Sequence, residues 1–147
     1  MNIKHAGNQE EKRELDQLLW EVLWKPLGFP RDVRKHFNLD SPRIELVAVD
    51  EKSMVGGLVA YYISDSEVEI RHIAVKSDTQ NKTVGKRLIG SLKSLLAGKS
   101  VTKISVYARS TSEGFYGRCG FKPVGEKFKH KLFAEHGIDI QPMHLDL

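Results

Sequence analysis

Three side chains in the central and C-terminal parts of the chain are suited to moving protons, Glu69, His72 and Tyr116, and one, Cys119, to nucleophilic attack. A carboxylate can strip a protonated amine of its proton, directly or through a water, and such help is worth roughly 10² to 10⁴ in rate. The need is real, because an amine with a pKa of about 10.4 is unprotonated in roughly one molecule in a thousand near neutrality. Glu69 suits that task, with Glu67 as a second choice; the plain alternative is a solvated strand carboxylate paired with Arg71. His72 is another base by type, since imidazole titrates near neutrality unaided. It alternates with Ile70 and Ala74, so a buried, hydrogen-bonded core histidine carries more weight. Cys119 has no histidine beside it in sequence to activate its thiol and reads as an inert, buried side chain. His130, His136 and His144 lack a tight metal-ligand spacing, so no metal is expected.

These residues are positioned by a strand, a loop and a helix. Glu67 to Val75 reads as a strand, followed by the polar run Lys-Ser-Asp-Thr-Gln80-Asn-Lys82-Thr83 and then by Val84, Leu88, Leu92, Leu95 and Leu96 at helical spacing over about 83–97. A helix start offers unpaired N–H groups and the positive end of the helix dipole, an anion site suited to a pyrophosphate. Lys82, Lys86 and Arg87 add charge there, and Gly85 permits close approach to the backbone.

The other elements follow from periodicity. Leu15, Leu18, Leu19, Val22 and Leu23 form one face of a helix over 10–24, ended by Pro26 and Gly28-Phe29-Pro30. Residues 25–43 look irregular and could border a substrate entrance. Ile44–Val49 and Met54–Ile63 read as strands, the second covered on both faces. Val101–Tyr107 is a strand, Ser110–Arg118 a short helix capped by Ser110 or Thr111, and Phe121–Phe128 and Met143–Leu147 are final strands. The order α, β, β, β, α, β, α, β, β predicts an α/β fold, a mixed sheet of six to seven strands flanked by helices.

Two segments resemble motifs of the GNAT superfamily of acetyl-CoA-dependent N-acetyltransferases. The first is the strand ending in Ala74-Val75 with Gln80, Thr83 and Gly85 in the pyrophosphate-loop positions; the second is Arg109 to Phe121, with Phe-Tyr116 ahead of Gly120-Phe121. The departure is Thr83, where the family usually has glycine. Threonine keeps its N–H, so a phosphate contact there requires a negative φ. The phrase Val22-Leu-Trp-Lys-Pro-Leu-Gly-Phe-Pro30 and the tail Phe133-Ala-Glu-His-Gly-Ile138 are similar to a bacterial branch of small members. The resemblance implies a GNAT fold over 1–147 as one domain, with two neighbouring parallel strands, 67–75 and 101–107, splayed apart. It implies acetyl-CoA as co-substrate, held by Ile73, Ala74, Val75, Gln80, Asn81, Lys82, Thr83, Val84, Gly85, Lys86, Ser112 and Tyr116. It implies that Glu69 is the base and that Tyr116 protonates the departing thiolate. A phenol near pKa 10 is a fair match to a thiol near 8.5, the alternative being an aromatic packed under the Gly120 turn. The acceptor is then a small-molecule or peptide amine, and a homodimer is compatible with the family. A catalytically weak acyl-CoA-binding module is the other reading.

Composition sets outer bounds. The 147 residues suit one domain, and 40% apolar with 29% charged residues is an ordinary globular balance. The uncharged run around Val55–Ile63 is far short of the roughly 20 residues needed to span a bilayer, and the N-terminus has no apolar signal region. A single cysteine excludes an internal disulfide, and a reducing, cytoplasmic setting is the simplest reading. The net charge of +4 names no partner. Lys122, Lys127, Lys129, His130 and Lys131 among phenylalanines read as a charged strand edge before a nucleic-acid surface, so no nucleic acid is expected. Trp20 and Trp24, one helical turn apart, fit helix packing or an acceptor pocket.

Overall fold

Seven strands in the order β1-β2-β3-β4-β5-β7-β6 make up the sheet of this computed structural model, which describes residues 1–76 and 83–147. They are β1 (Asn2–His5), β2 (Arg43–Asp50), β3 (Ser53–Tyr62), β4 (Glu67–Val75), β5 (Lys103–Arg109), β6 (Lys122–Pro123) and β7 (Ile140–Asp146). All neighbours are antiparallel except β4 and β5. That parallel pair needs a crossover, supplied by helix α2 (Val84–Leu96).

Helix α1 (Gln9–Leu23) covers one face of the sheet, with Leu15, Leu18 and Leu19 packed on Val47, Val59, Tyr61 and Ala74. Its start is well satisfied: Asn8 accepts the Glu11 N–H, and the Glu11 side chain accepts from Gly7. Leu15 lies so close to β3 that a Cβ on Gly57 would sit 2.1 Å from its Cδ1, so any larger residue there would displace the Leu15 side chain. Helix α2 covers the other face with Val84, Leu88, Leu92 and Leu96. Between the helices β3 is buried along most of its length, as its uncharged sequence predicts. A third cluster, Trp24, Val33, Phe133, Ile138 and Ile140, ties the tail to the end of α1.

Several boundaries differ from expectation. Strand β1 pairs with β2 but is too short and polar to announce itself. The strand expected over Phe121–Phe128 shrinks to Lys122–Pro123 plus an isolated bridge from Phe128 to Ile140, because Gly125 turns the chain at φ +72. The last strand begins at Ile140 rather than Met143. Segment 25–43 contains two short 3₁₀ turns, Lys25–Leu27 and Val33–Phe37. Helix α3 (Glu113–Arg118) starts after Ser112, not Ser110 or Thr111; Ser110 instead joins the chain entering β7, through Asp139.

Candidate active site

The parallel ladder between β4 and β5 runs from Glu67↔Lys103 to Ile70↔Val106 and ends there. Beyond it β4 continues to Val75 and β5 to Arg109 with no ladder between them, the splay that the resemblance implies. The parting coincides with a bulge. Val59 pairs with His72 and Ala60 with Ile70, so Arg71 is an extra residue in β4. A bulge bends its strand and shifts the side-chain alternation by one. Val68 and Ile70 therefore join the α2 side, while past Arg71 it is Ile73 and Val75 that do so. Glu69, His72 and Ala74 lie opposite α1-side residues Tyr61, Val59 and Gly57. His72 thus shares a face with Ala74 but not, as simple alternation predicts, with Ile70.

A cavity of about 340 Å³ fills the parting. Its walls come from five places: β4 (Ile70 to Ile73), β5 (Val106 to Arg109), α3 and its cap (Tyr116, Ser112), the end of α1 with the following turn (Leu23, Trp24, His36, Phe37), and the tail (Phe128, His130, Phe133, Ile140). The fold thus brings together Ile73, Ser112 and Tyr116 of the expected site. Ala74 and Val75 follow along β4, and Thr83, Val84, Gly85 and Lys86 open α2. Gln80, Asn81 and Lys82 lie outside the described residues.

Tyr116 is buried, in edge-on contact with Phe115 (5.2 Å between ring centres) and Phe121 (5.4 Å). Burial pushes its phenol above the ordinary value, with Arg109 pulling the other way, so the hydroxyl keeps its proton at all ordinary pH. Glu69 is also buried and is not part of the cavity wall. Its Oε2 lies 3.1 Å from Arg71 Nη1, but the pair is poorly aligned: neither that oxygen nor Arg71 Nε has a hydrogen-bond partner. Desolvation raises the Glu69 pKa, and Arg71 only partly offsets it. His72 touches Trp24 and Phe37 edge-on, at 5.8 and 5.9 Å. Burial, then the charges of Arg34, Arg71 and Arg109, hold its pKa well below the usual imidazole value. It is a neutral ring packed in the wall. Cys119 is only half-buried, not buried as expected, but its thiol is pushed up, which matches an inert side chain.

The start of α2 is chemically unlike that of α1. Thr83 has φ −93, so the condition on its N–H is met. The first turn carries no acidic residue, while Lys86 and Arg87 are exposed there. Cations at this end oppose the helix dipole; a diphosphate would reverse that imbalance, and helix-start N–H groups suit such an anion. Gly85 has a further reason for its size: a Cβ would fall 2.9 Å from the Phe115 ring, so α2 and α3 meet through it.

Sequence reasoning passed over several wall residues. Arg109 lies two positions beyond the expected end of its strand, yet its Nη1 donates to the Leu23 carbonyl at 2.7 Å and its guanidinium stands over Trp24 and Phe133. Phe37, His130 and Phe133 come from irregular segments with no period to mark them. The basic run at 127–131 is partly neutralised, Lys127 by Glu113 and Lys129 by Asp139. Among the described residues, no group of three or more His, Cys, Asp or Glu side chains gathers as a metal site, and no helix is long and apolar enough to cross a membrane.

Residues 24–147 match the family model described as an acetyltransferase (GNAT) domain. A Bacillus subtilis protein named for alanine N-acetylation of ribosomal protein bS18 is 21% identical over 144 residues, 95% of this chain and 93% of that one. An aminoglycoside 6'-N-acetyltransferase crystallised with coenzyme A superposes with a TM-score of 0.78 at 19% identity, covering 99% of this chain and 97% of that one. Escherichia coli ElaA gives 0.75 at 18%, covering 97% and 96%.

Proposed function

Given that the chain belongs to the GNAT acetyltransferase family, we propose that it moves the acetyl group of acetyl-CoA to a primary amine by direct attack in a ternary complex. The observation that carries this reading is the cavity at the parting of β4 and β5, with Tyr116 in its wall and the start of α2, whose first turn holds cations and no acidic residue, after the end of β4. Acetyl-CoA supplies an activated thioester. The residues that would hold it are the backbone of Ile73, Ala74 and Val75, the first turn of α2 from Thr83 to Lys86, and Ser112, together with Gln80, Asn81 and Lys82, which precede that turn in sequence.

The amine enters from the side of Trp24 and Phe37, past segment 25–40. Its nitrogen forms the new N–C bond as the C–S bond breaks, and the ammonium proton leaves to a base. Glu69 is that base through a relay of water past Arg71, since its carboxylate does not reach the cavity itself. A raised pKa makes it a better proton acceptor than an ordinary carboxylate. Tyr116 donates its proton to the departing sulfur. The desolvation that strengthens its hold on the proton also raises the basicity of a thiolate released beside it, so the two remain matched.

Calorimetry with coenzyme A and thiol release from acetyl-CoA with a panel of amines test the reading. Binding together with amine-dependent release supports it; binding without turnover on any amine would leave a CoA-binding module. Replacing Glu69 by Gln removes the acidic limb of the pH–rate profile; an unchanged profile would move the base elsewhere.

A further inference from the structure

The cavity is lined by positive and aromatic groups, and among its described lining residues there is no Asp or Glu. Of its two arginines, Arg71 has Glu69 at 3.1 Å. Arg109 has no carboxylate partner among the described residues, and beyond the 2.7 Å bond to the Leu23 carbonyl its N–H groups have no acceptor there. Its guanidinium lies against two rings that also stack on each other, 4.6 Å from the centre of Trp24 and 4.5 Å from that of Phe133. Burial draws its pKa down to about 10, which still leaves it charged near neutrality. A desolvated, rigidly held fork with open donors on a cavity is matched by a carboxylate, which takes two parallel N–H bonds. The flanking rings offer the apolar surface that a compact organic body would cover. At about 340 Å³ the space is at the small end for ligand pockets.

We propose that the acceptor is a compact amino carboxylate with an apolar or aromatic body, its carboxylate on Arg109 and its amine turned to the parting of β4 and β5. This rests on the acetyl-transfer reading. A polyamine would bring several ammonium groups against Arg71 and Arg109 with no counter-charge in the wall, and a peptide N-terminus has an amide where the carboxylate is needed.

The test pairs L-phenylalanine and L-leucine with their decarboxylated counterparts, phenethylamine and isoamylamine, and adds spermidine and an alanine-initiated peptide amide. In the full chain with acetyl-CoA, kcat/KM for each carboxylate-bearing acceptor exceeds that of its counterpart by about tenfold or more, the range of one lost hydrogen bond to a charged group. Arg109→Gln raises KM for the amino acids more than it lowers kcat and erases the preference, while Arg109→Lys restores part of it. Should the variants fail to fold, the preference within the native protein decides alone. Titrating phenylalanine into the complex with coenzyme A gives a second readout, binding heat. Equal or better use of the decarboxylated amines, spermidine or the peptide overturns the proposal, as does the absence of both heat and turnover with the amino acids. Coenzyme A binding measured in the same samples separates these outcomes from failure of the acetyl-transfer reading, which a lack of that binding would signal.

Discussion

At the scale of single residues, burial sets the chemistry of the wall. Tyr116 and His72 are both forced to their neutral forms by desolvation, but with opposite consequences. The phenol is kept as a proton donor. Tyr116→Phe therefore lowers kcat by roughly 10² to 10⁴, the usual range for a proton-transfer group, while calorimetry finds coenzyme A affinity little changed. The imidazole is instead a liability in acid. Its folded pKa lies below the unfolded value of about 6.5, so below that pH the unfolded chain binds the extra proton. The contribution of His72 is then complete above pH 6.5 and is lost as pH falls, at up to about 1.4 kcal/mol per pH unit. Glu69, with its raised pKa, acts in the opposite sense where it titrates. Urea unfolding between pH 7 and 5 shows the fall, and His72→Gln flattens it. Little of this was legible beforehand. Glu69, His72 and Tyr116 are conspicuous by type, but which way Glu69 and His72 face depends on the extra residue at Arg71, which no period announces.

Elements were far more legible than their junctions. Leucine spacing in α1 and α2 and the uncharged length of β3 each reflect one buried face or two, so pattern and packing agree. The tail failed that logic, because Phe133 and Ile138 bury themselves against Trp24 from irregular segments, where burial follows no period. The contact between α2 and α3 is another junction that sequence leaves open. Gly85 reads as room for a ligand, and the structure adds room for Phe115. A methyl group there meets the ring that neighbours Tyr116. Gly85→Ala costs about 1 to 3 kcal/mol by overpacking, and Phe115→Leu in the same chain recovers much of it, a non-additivity that denaturant titration of the single and double variants measures.

For the whole molecule, the decisive feature is where the sheet stops being one sheet. Strands β1 to β4 and strands β5 to β7 are continuous ladders in themselves, joined across the middle by four register pairs at one end. Past that joint each lobe shows an interior edge, a row of peptide groups facing a neighbour it does not bond. Such edges usually invite a foreign strand, and here a bound arm of the right length would serve as one. Amide hydrogen exchange at Ile73 to Val75 and at Tyr107 to Arg109 is accordingly faster in the free protein than in the joined halves of the same strands, and slows by about tenfold or more with coenzyme A. A joint at only one end also makes a clothes-peg of the architecture: whatever tightens or loosens the Glu67–Ile70 ladder sets the width of the jaws, so substitutions at its far end, Glu67 and Lys103, can retune which molecules the enzyme admits.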